Sequence, residues 1–147
     1  TQKVADALPI FSHLQTYQGH PASCAAGLAT IDYIEQNDLI RKSSENGAYL
    51  LEQMQRLRDL PIVGDVRGLG MWTCIDFTQD KKTKKPLEDG AVKSMVHRCL
   101  DMGVLVGEEG TAIELSPPFI ATRDELDTCI DTLEKAIIAE AKEQGLG

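Results

Sequence analysis

Apolar residues recur at helical spacing in the first third of the chain. Downstream of Pro21 they recur every three or four residues as far as Gln36, which predicts a helix. Pro21 suits the first turn of this helix because its missing N–H would have no intrahelical partner there. A second helix is predicted over residues 38–59, ending before Pro61. Its predicted buried stripe consists of Ile40, Leu50, Leu51, Met54 and Leu57. Residues 1–19 are rich in polar and turn-forming types and are predicted to be irregular.

The middle of the chain changes to the alternating pattern of strands. Residues 62–66 and 71–78 predict two strands, with a turn region over residues 68–70. One face of the second strand carries Trp72, Cys74 and Asp76, and the other carries Met71, Thr73, Ile75 and Phe77. We expect Trp72, the only tryptophan, to pack in the core or in an interface.

The second half predicts a helix, two short strands and a long closing helix. The first of these helices ends at Gly103, and residues 104–106 and 112–115 predict the strands. The apolar face of that helix consists of Val92, Met95, Val96, Cys99 and Leu100. Thr122 followed by Glu125 has the spacing of a capping box, which starts the closing helix. Its predicted buried stripe consists of Leu126, Ile130, Leu133 and Ile137. The short connections favour antiparallel pairing, so we predict an α+β fold with helices packed on a small antiparallel sheet.

Composition narrows the classes of function. The 147 residues carry 15 Lys and Arg against 23 Asp and Glu, and this net charge of −8 argues against nucleic acids or anionic membranes as partners. The longest apolar run, residues 24–29, is too short to cross a bilayer. The start has no signal-peptide pattern and no initiator Met, so we expect a piece of a longer chain. Four widely spaced cysteines predict no metal site and no disulfide framework; we interpret them as buried thiols of a cytoplasmic protein.

The most informative candidate site is the turn before Pro21. Gln15, Thr16 and Gly19 offer a hydroxyl and backbone N–H groups, which are donors that can bind a phosphate, although the residues alone favour an ordinary helix-entry turn. No Ser-His-Asp spacing or local histidine ligand set is present, so no catalytic residue is assigned. Arg67 is expected to pair with an acidic side chain of the core, with substrate contact as the alternative.

Three ordered segments resemble one family. Residues 13–21 (HLQTYQGHP), which continue into CAAGLA at 24–29, are similar to the HGxTYxGHP and CAAxLA signature of class III pyridoxal-phosphate aminotransferases. Residues 62–71 resemble the VxDVRGxGLM segment of that family, and residues 115–120 resemble its PPLII segment. The three motifs cover nearly the whole chain. Leu14 departs from the pattern, which has a glycine there.

The resemblance implies the C-terminal domain of a fold-type I enzyme that binds pyridoxal 5'-phosphate. Residues 1–21 would end the large cofactor-binding domain, and residues 22–147 would form the small domain with its linking helix. The resemblance implies that Thr16 reaches the cofactor phosphate of the second subunit of a homodimer, helped by the backbone N–H of Gln15. The implied reaction transfers an amino group from an amine or amino acid to a keto acid.

The chain also departs from a complete enzyme of that family. None of its lysines matches the Schiff-base lysine, so the chain alone is predicted to be inactive. Many members carry a carboxylate-binding arginine at the position of Gly107 or of Glu114. In this chain the substrate carboxylate would be bound by Arg67, Arg123 or an upstream residue. The alternative is a substrate that is not bound through such an arginine. The alternative function is a non-catalytic α+β binding or interaction module that retains the scaffold.

Overall fold

The computed structural model describes residues 1–8 and 15–146. These described residues fall into two compact units, one up to Asp38 and the other from Leu39 onward. The first unit contains helix α1 (Gln2–Asp6), a turn over residues 16–19 and helix α2 (Pro21–Gln36). The prediction of an irregular start is wrong at α1, where the N–H groups of Val4 and Ala5 donate to the carbonyl of Thr1. His13 and Leu14, part of the first motif, lie outside the described residues.

Helix α2 begins where the sequence predicts. Pro21 occupies its first turn, and His20 caps it by accepting a hydrogen bond at Nδ1 from the Ser23 backbone N–H, at 3.3 Å. No residue of α2 is buried, and Leu28, Ile31 and Tyr33 are each more than half exposed. The apolar face of α2 is therefore exposed.

The second unit is an antiparallel sheet with helices on one face. Its elements are α3 (Leu39–Gln55), a 3-10 helix (Arg56–Asp59), β1 (Val63–Leu69), β2 (Trp72–Phe77), α4 (Ala91–Asp101), β3 (Gly107–Glu109), β4 (Ala112–Leu115) and α5 (Arg123–Glu143). The strand order is β1-β2-β4-β3, and each neighbouring pair is antiparallel. The predicted α+β class is confirmed.

The core lies between α3, α4, α5 and the inner face of the sheet. The side chains that the sheet contributes to this core include Val66, Ile75, Phe77, Ile113 and Leu115. The predicted stripe of α5, Leu126, Ile130, Leu133 and Ile137, is fully buried. The capping box is confirmed as well: Thr122 Oγ1 accepts from the Glu125 N–H, and the Glu125 carboxylate accepts from the Thr122 N–H at 2.8 Å.

The third strand lies later in the chain than the sequence predicts. Residues 104–106 form no strand, and pairing with β4 begins at Gly107 opposite Glu114. Val104 and Val106 are buried, but the Val104 N–H donates to the Cys99 carbonyl at the end of α4. The apolar pattern of residues 104–106 therefore reflects burial of the two valines and not hydrogen bonding to a neighbouring strand. The hairpin formed by β1 and β2 is also longer than predicted, because β1 continues to Leu69 and the chain turns at Gly70.

Several apolar side chains predicted to be buried are exposed. Ile40 is 77% exposed, Leu100 53% and Trp72 63%, so Trp72 does not pack in the core. Trp72 projects from the sheet face opposite the helices. The interpretation of the four free cysteines as buried holds only for Cys99: Cys24 is exposed, and Cys74 and Cys129 are half-buried.

Helix α3 and the β1–β2 turn meet at two glycines. A β-carbon on Gly47 would overlap the backbone of Gly70, lying 2.5 Å from its Cα and closer still to its carbonyl group. Gly70 has a φ of +58°, a conformation that glycine adopts without strain. This contact requires the absence of a side chain at position 47.

Candidate phosphate site and the open face of the sheet

The predicted phosphate-binding residues lie in the exposed turn that precedes α2. The Gln18 N–H donates to the Gln15 carbonyl at 3.1 Å, and the His20 N–H donates to the Tyr17 carbonyl at 3.3 Å. Gly19 has a φ of +73°, which allows the chain to reverse before Pro21. The turn therefore holds Gln15 and Thr16 at the entrance to a regular helix.

The donor groups of this turn suit a phosphate. Within residues 1–8 and 15–146, the Thr16 hydroxyl forms no hydrogen bond with another group. No Asp, Glu, Lys or Arg occurs between Asp6 and Asp32, although the chain as a whole is strongly acidic. A bound anion would therefore meet hydroxyl and N–H donors without repulsion from a neighbouring carboxylate in this segment. The residues present fit the phosphate group of pyridoxal 5'-phosphate.

A second concentration of polar groups lies on the sheet face opposite the helices, which we term the open face. Cross-strand register places Arg67, Cys74, Glu114 and Gly107 in one row across β1, β2, β4 and β3. A cleft of about 420 Å³ is lined by Arg67, Cys74, Glu114 and Trp72, among others. Trp72 also lines an adjoining apolar cavity of about 560 Å³ with Ile40, Leu69 and Phe119.

Arg67 forms ion pairs with two carboxylates on this face. Asp65 and Asp76 oppose each other in the register of β1 and β2, which by itself is unfavourable. Arg67 Nη1 forms an ion pair with Asp76 Oδ2 and lies 3.6 Å from Asp65 Oδ2. The hydrogen bond to Asp76 raises the pKa of Arg67 above its ordinary value. The predicted acidic pairing of Arg67 is confirmed, although its partners lie on the open face rather than in the core.

Cys74 lies among these charges. Arg67 Nη2 is 3.6 Å from its Sγ. Burial raises the pKa of the Cys74 thiol, and the carboxylates of Asp76, Glu114 and Asp65 raise it further, while Arg67 opposes them. A raised pKa keeps the thiol protonated at neutral pH, which makes it a weak nucleophile.

Arg123, the second candidate for a carboxylate anchor, also has a partner within the chain. Its guanidinium carbon lies 4.7 Å from the centroid of the Tyr49 ring, a cation–π distance. The Tyr49 hydroxyl donates to Asp127 at 2.7 Å, and this hydrogen bond raises the pKa of Tyr49. Arg67 and Arg123, the two candidate anchors in this chain, therefore both have partners within it.

The sequence did not predict this cluster on the open face, because its residues lie on strands that are far apart in the chain. The alternation in β2 identified the face of Trp72 and Cys74, but nothing local places Glu114 beside them. In the described part of the chain, no group of three or more His, Cys, Asp or Glu side chains is placed to hold a metal ion. None of the helices described is long and apolar enough to span a bilayer.

Comparison with known proteins identifies the family. The model of the class III aminotransferase family matches residues 1–137. The chain is 36% identical over 133 residues to the uncharacterised aminotransferase YhxA of Bacillus subtilis, covering 86% of this chain and 30% of YhxA. It is 32% identical over 147 residues to the leucine/methionine racemase of Thermococcus litoralis, covering 99% of this chain and 33% of the racemase.

Solved structures agree with this assignment. The crystal structure of a PLP-bound amine transaminase from an uncultivated Pseudomonas species is similar at a TM-score of 0.86 and 38% identity, covering 95% of this chain and 34% of that one. This chain belongs to the class III aminotransferase family. It spans about a third of the length of the relatives it matches.

Proposed function

We propose that this chain is the C-terminal part of an enzyme that uses pyridoxal 5'-phosphate to transfer an amino group from an amine or amino acid to a keto acid. The family match over residues 1–137 carries the proposal. Two of the similar proteins, YhxA and the Pseudomonas enzyme, are named an aminotransferase and an amine transaminase. When bound, the cofactor supplies an electron sink for the bonds broken at the donor carbon.

The turn before α2 is proposed to hold the cofactor phosphate of a partner subunit. The Thr16 hydroxyl and the Gln15 backbone N–H donate to phosphate oxygens in this assignment. The exposure of the turn, the uncharged segment around it and its place at the N-terminus of α2 all support an anion site. In a homodimer each phosphate site would then be complete only when the second subunit is present.

The division of the chain follows from the same proposal. Residues 1–21 would end the large cofactor-binding domain, and residues 22–147 would form the small domain with its linking helix. The Schiff-base lysine would lie in the part of the enzyme that this chain does not span. We therefore expect the chain by itself not to catalyse amino transfer, even with cofactor added.

The function is tested in the full-length protein loaded with cofactor. With an amino donor and no acceptor, the proposal predicts keto product stoichiometric with bound cofactor, followed by turnover once a keto acid is added. Because the Thermococcus litoralis relative is named a racemase, the chirality of the donor is followed in parallel. Inversion of the donor without keto product would overturn amino transfer as the main reaction.

A further inference from the structure

Glu114 on the open face has an unusual position for a charged residue. Its side chain is half-buried, and within residues 1–8 and 15–146 no Lys or Arg forms an ion pair with it. Arg67, the cation in the same row, is already paired with Asp76 and Asp65. The Glu114 carboxylate is thus available to a ligand that brings its own positive charge.

The surroundings of Glu114 favour a cation. Arg58 pairs with Asp65, and Arg67 pairs with Asp76 and Asp65. The three carboxylates of Asp65, Asp76 and Glu114 therefore exceed these two guanidiniums by one negative charge, which is that of Glu114. Trp72 lies on the same face as Cys74, the register partner of Glu114, which makes Trp72 and Glu114 diagonal neighbours. The exposed indole ring of such a diagonal neighbour can bind a cation over its face.

Two further features shape the cleft for an alkyl cation. A β-carbon on Gly107 would lie 3.5 Å from Glu114 Cβ and 4.0 Å from Glu114 Oε2, so glycine leaves this side of the carboxylate open. The adjoining apolar cavity, which shares Trp72 with the cleft, is lined by Ile40, Leu69 and Phe119 among others. That cavity provides an apolar surface for methylene groups attached to the charged end.

We propose that the open-face cleft binds a primary alkylammonium group, with Glu114 as its ion-pair partner and the Trp72 ring against the cation. The attached methylene groups lie along the adjoining apolar cavity. Resting on the proposed function, the ligand is the second, non-reacting ammonium of a diamine donor. Glu114 then sets the preference of the enzyme for diamines over donors with a single charge.

Binding is tested first in this chain, without cofactor. Trp72 is its only tryptophan, so intrinsic fluorescence reports directly on the cleft. The chain is titrated with pentylamine, pentanol and pentanoate at equal ionic strength. A saturable change is expected with pentylamine alone, and Glu114→Gln should weaken it by about tenfold or more, the loss expected for one charged hydrogen bond.

The matched control is Glu108→Gln, the same change of charge on the neighbouring strand. Glu108 pairs in register with Ile113 and therefore belongs to the opposite sheet face, so this variant should bind pentylamine like the wild type. The circular dichroism and melting temperature of both variants are compared with the wild type. No saturable change with pentylamine, an equal response to pentanol or pentanoate, or unchanged affinity in Glu114→Gln would overturn the site.

The substrate assignment is tested in the full-length enzyme by comparing 1,5-diaminopentane with pentylamine as donors. Glu114→Gln should lower the ratio of their kcat/KM values by about tenfold, mainly through the KM of the diamine. Glu108→Gln should leave the ratio unchanged. An unchanged ratio in an active Glu114→Gln enzyme overturns the donor assignment. Absence of amino transfer from every donor contradicts the proposed function instead, while the fluorescence titration still decides whether the cleft binds the cation.

Discussion

Replacing Gly47 with alanine tests the packing of α3 against the sheet. The new β-carbon would lie 2.5 Å from the Gly70 Cα, whereas ordinary contact begins at 3.4 Å. The atoms in the way belong to the backbone of the β1–β2 turn rather than to a flexible side chain. Helix and hairpin would therefore have to separate by roughly 1 Å, which strains a close-packed core.

The expected loss of stability combines two opposing effects. Overpacking against backbone costs about 3 kcal/mol, at the upper end of the usual range. Alanine in a helix interior regains about 1 kcal/mol relative to glycine. We therefore expect Gly47→Ala to lower the free energy of unfolding by about 2 kcal/mol.

Urea denaturation followed by far-UV circular dichroism and Trp72 fluorescence measures this change through the midpoint and the slope. The matched control is Gly27→Ala in α2, where a β-carbon would meet nothing within 4 Å. The control should be neutral or slightly stabilising. A Gly47→Ala variant as stable as the wild type would refute the close contact between Gly47 and Gly70.

Three further predictions concern a helix cap, the thiols and an ion pair. Thr122→Ala should cost about 1 kcal/mol in urea denaturation at neutral pH. Hydrogen bonds from Thr122 lower the pKa of Glu125, and the backbone N–H, which alanine keeps, contributes most. The Glu125 carboxylate therefore stabilises the fold above its ordinary pKa and ceases to do so as the pH falls through the lowered value, and Thr122→Ala loses only the share that comes from the hydroxyl. A Thr122→Ala variant as stable as the wild type at neutral pH would contradict the cap. Mass spectrometry after thiol labelling should find Cys24 modified first and Cys99, buried with a pKa of about 11, modified only on unfolding; early labelling of Cys99 would contradict its burial. Arg67→Ala should destabilise the chain by about 0.5 to 1 kcal/mol at low salt and by less at high salt, and salt-independent destabilisation would refute an electrostatic role.

The sequence correctly predicted those elements that depend on residues only a few positions apart. The capping box and apolar stripe of α5 depend on short spacings, and both are confirmed. The prediction of a strand at residues 104–106 is wrong, because buried valines give the same pattern in a segment that is not paired with another strand. Glu108 and its neighbours form the strand instead, although their charged side chains give little strand signal.

The cluster of side chains on the open face could not be predicted from the sequence. Alternation in β2 correctly separated its two faces, but it could not tell that Trp72 would be exposed rather than packed. The row that joins Arg67 to Glu114 depends on the pairing of strands from distant parts of the chain. The donors of the turn made Gln15 and Thr16 candidates, but only the resemblance assigned them to a cofactor phosphate, because a hydroxyl in a turn has no distinguishing local pattern. That assignment stays a prediction.

The affinity of the full-length enzyme for pyridoxal 5'-phosphate tests the role of the turn most directly. Thr16→Ala should weaken cofactor binding by about 1.5 to 3 kcal/mol, the range for a hydrogen bond to a charged group. Thr16→Ser keeps the hydroxyl and should bind nearly as tightly as the wild type. Thr30→Ala, which removes a hydroxyl bonded within α2 to the Ala26 carbonyl, should leave the affinity unchanged. Equal cofactor affinity in Thr16→Ala and the wild type would contradict the assignment of Thr16 to the phosphate.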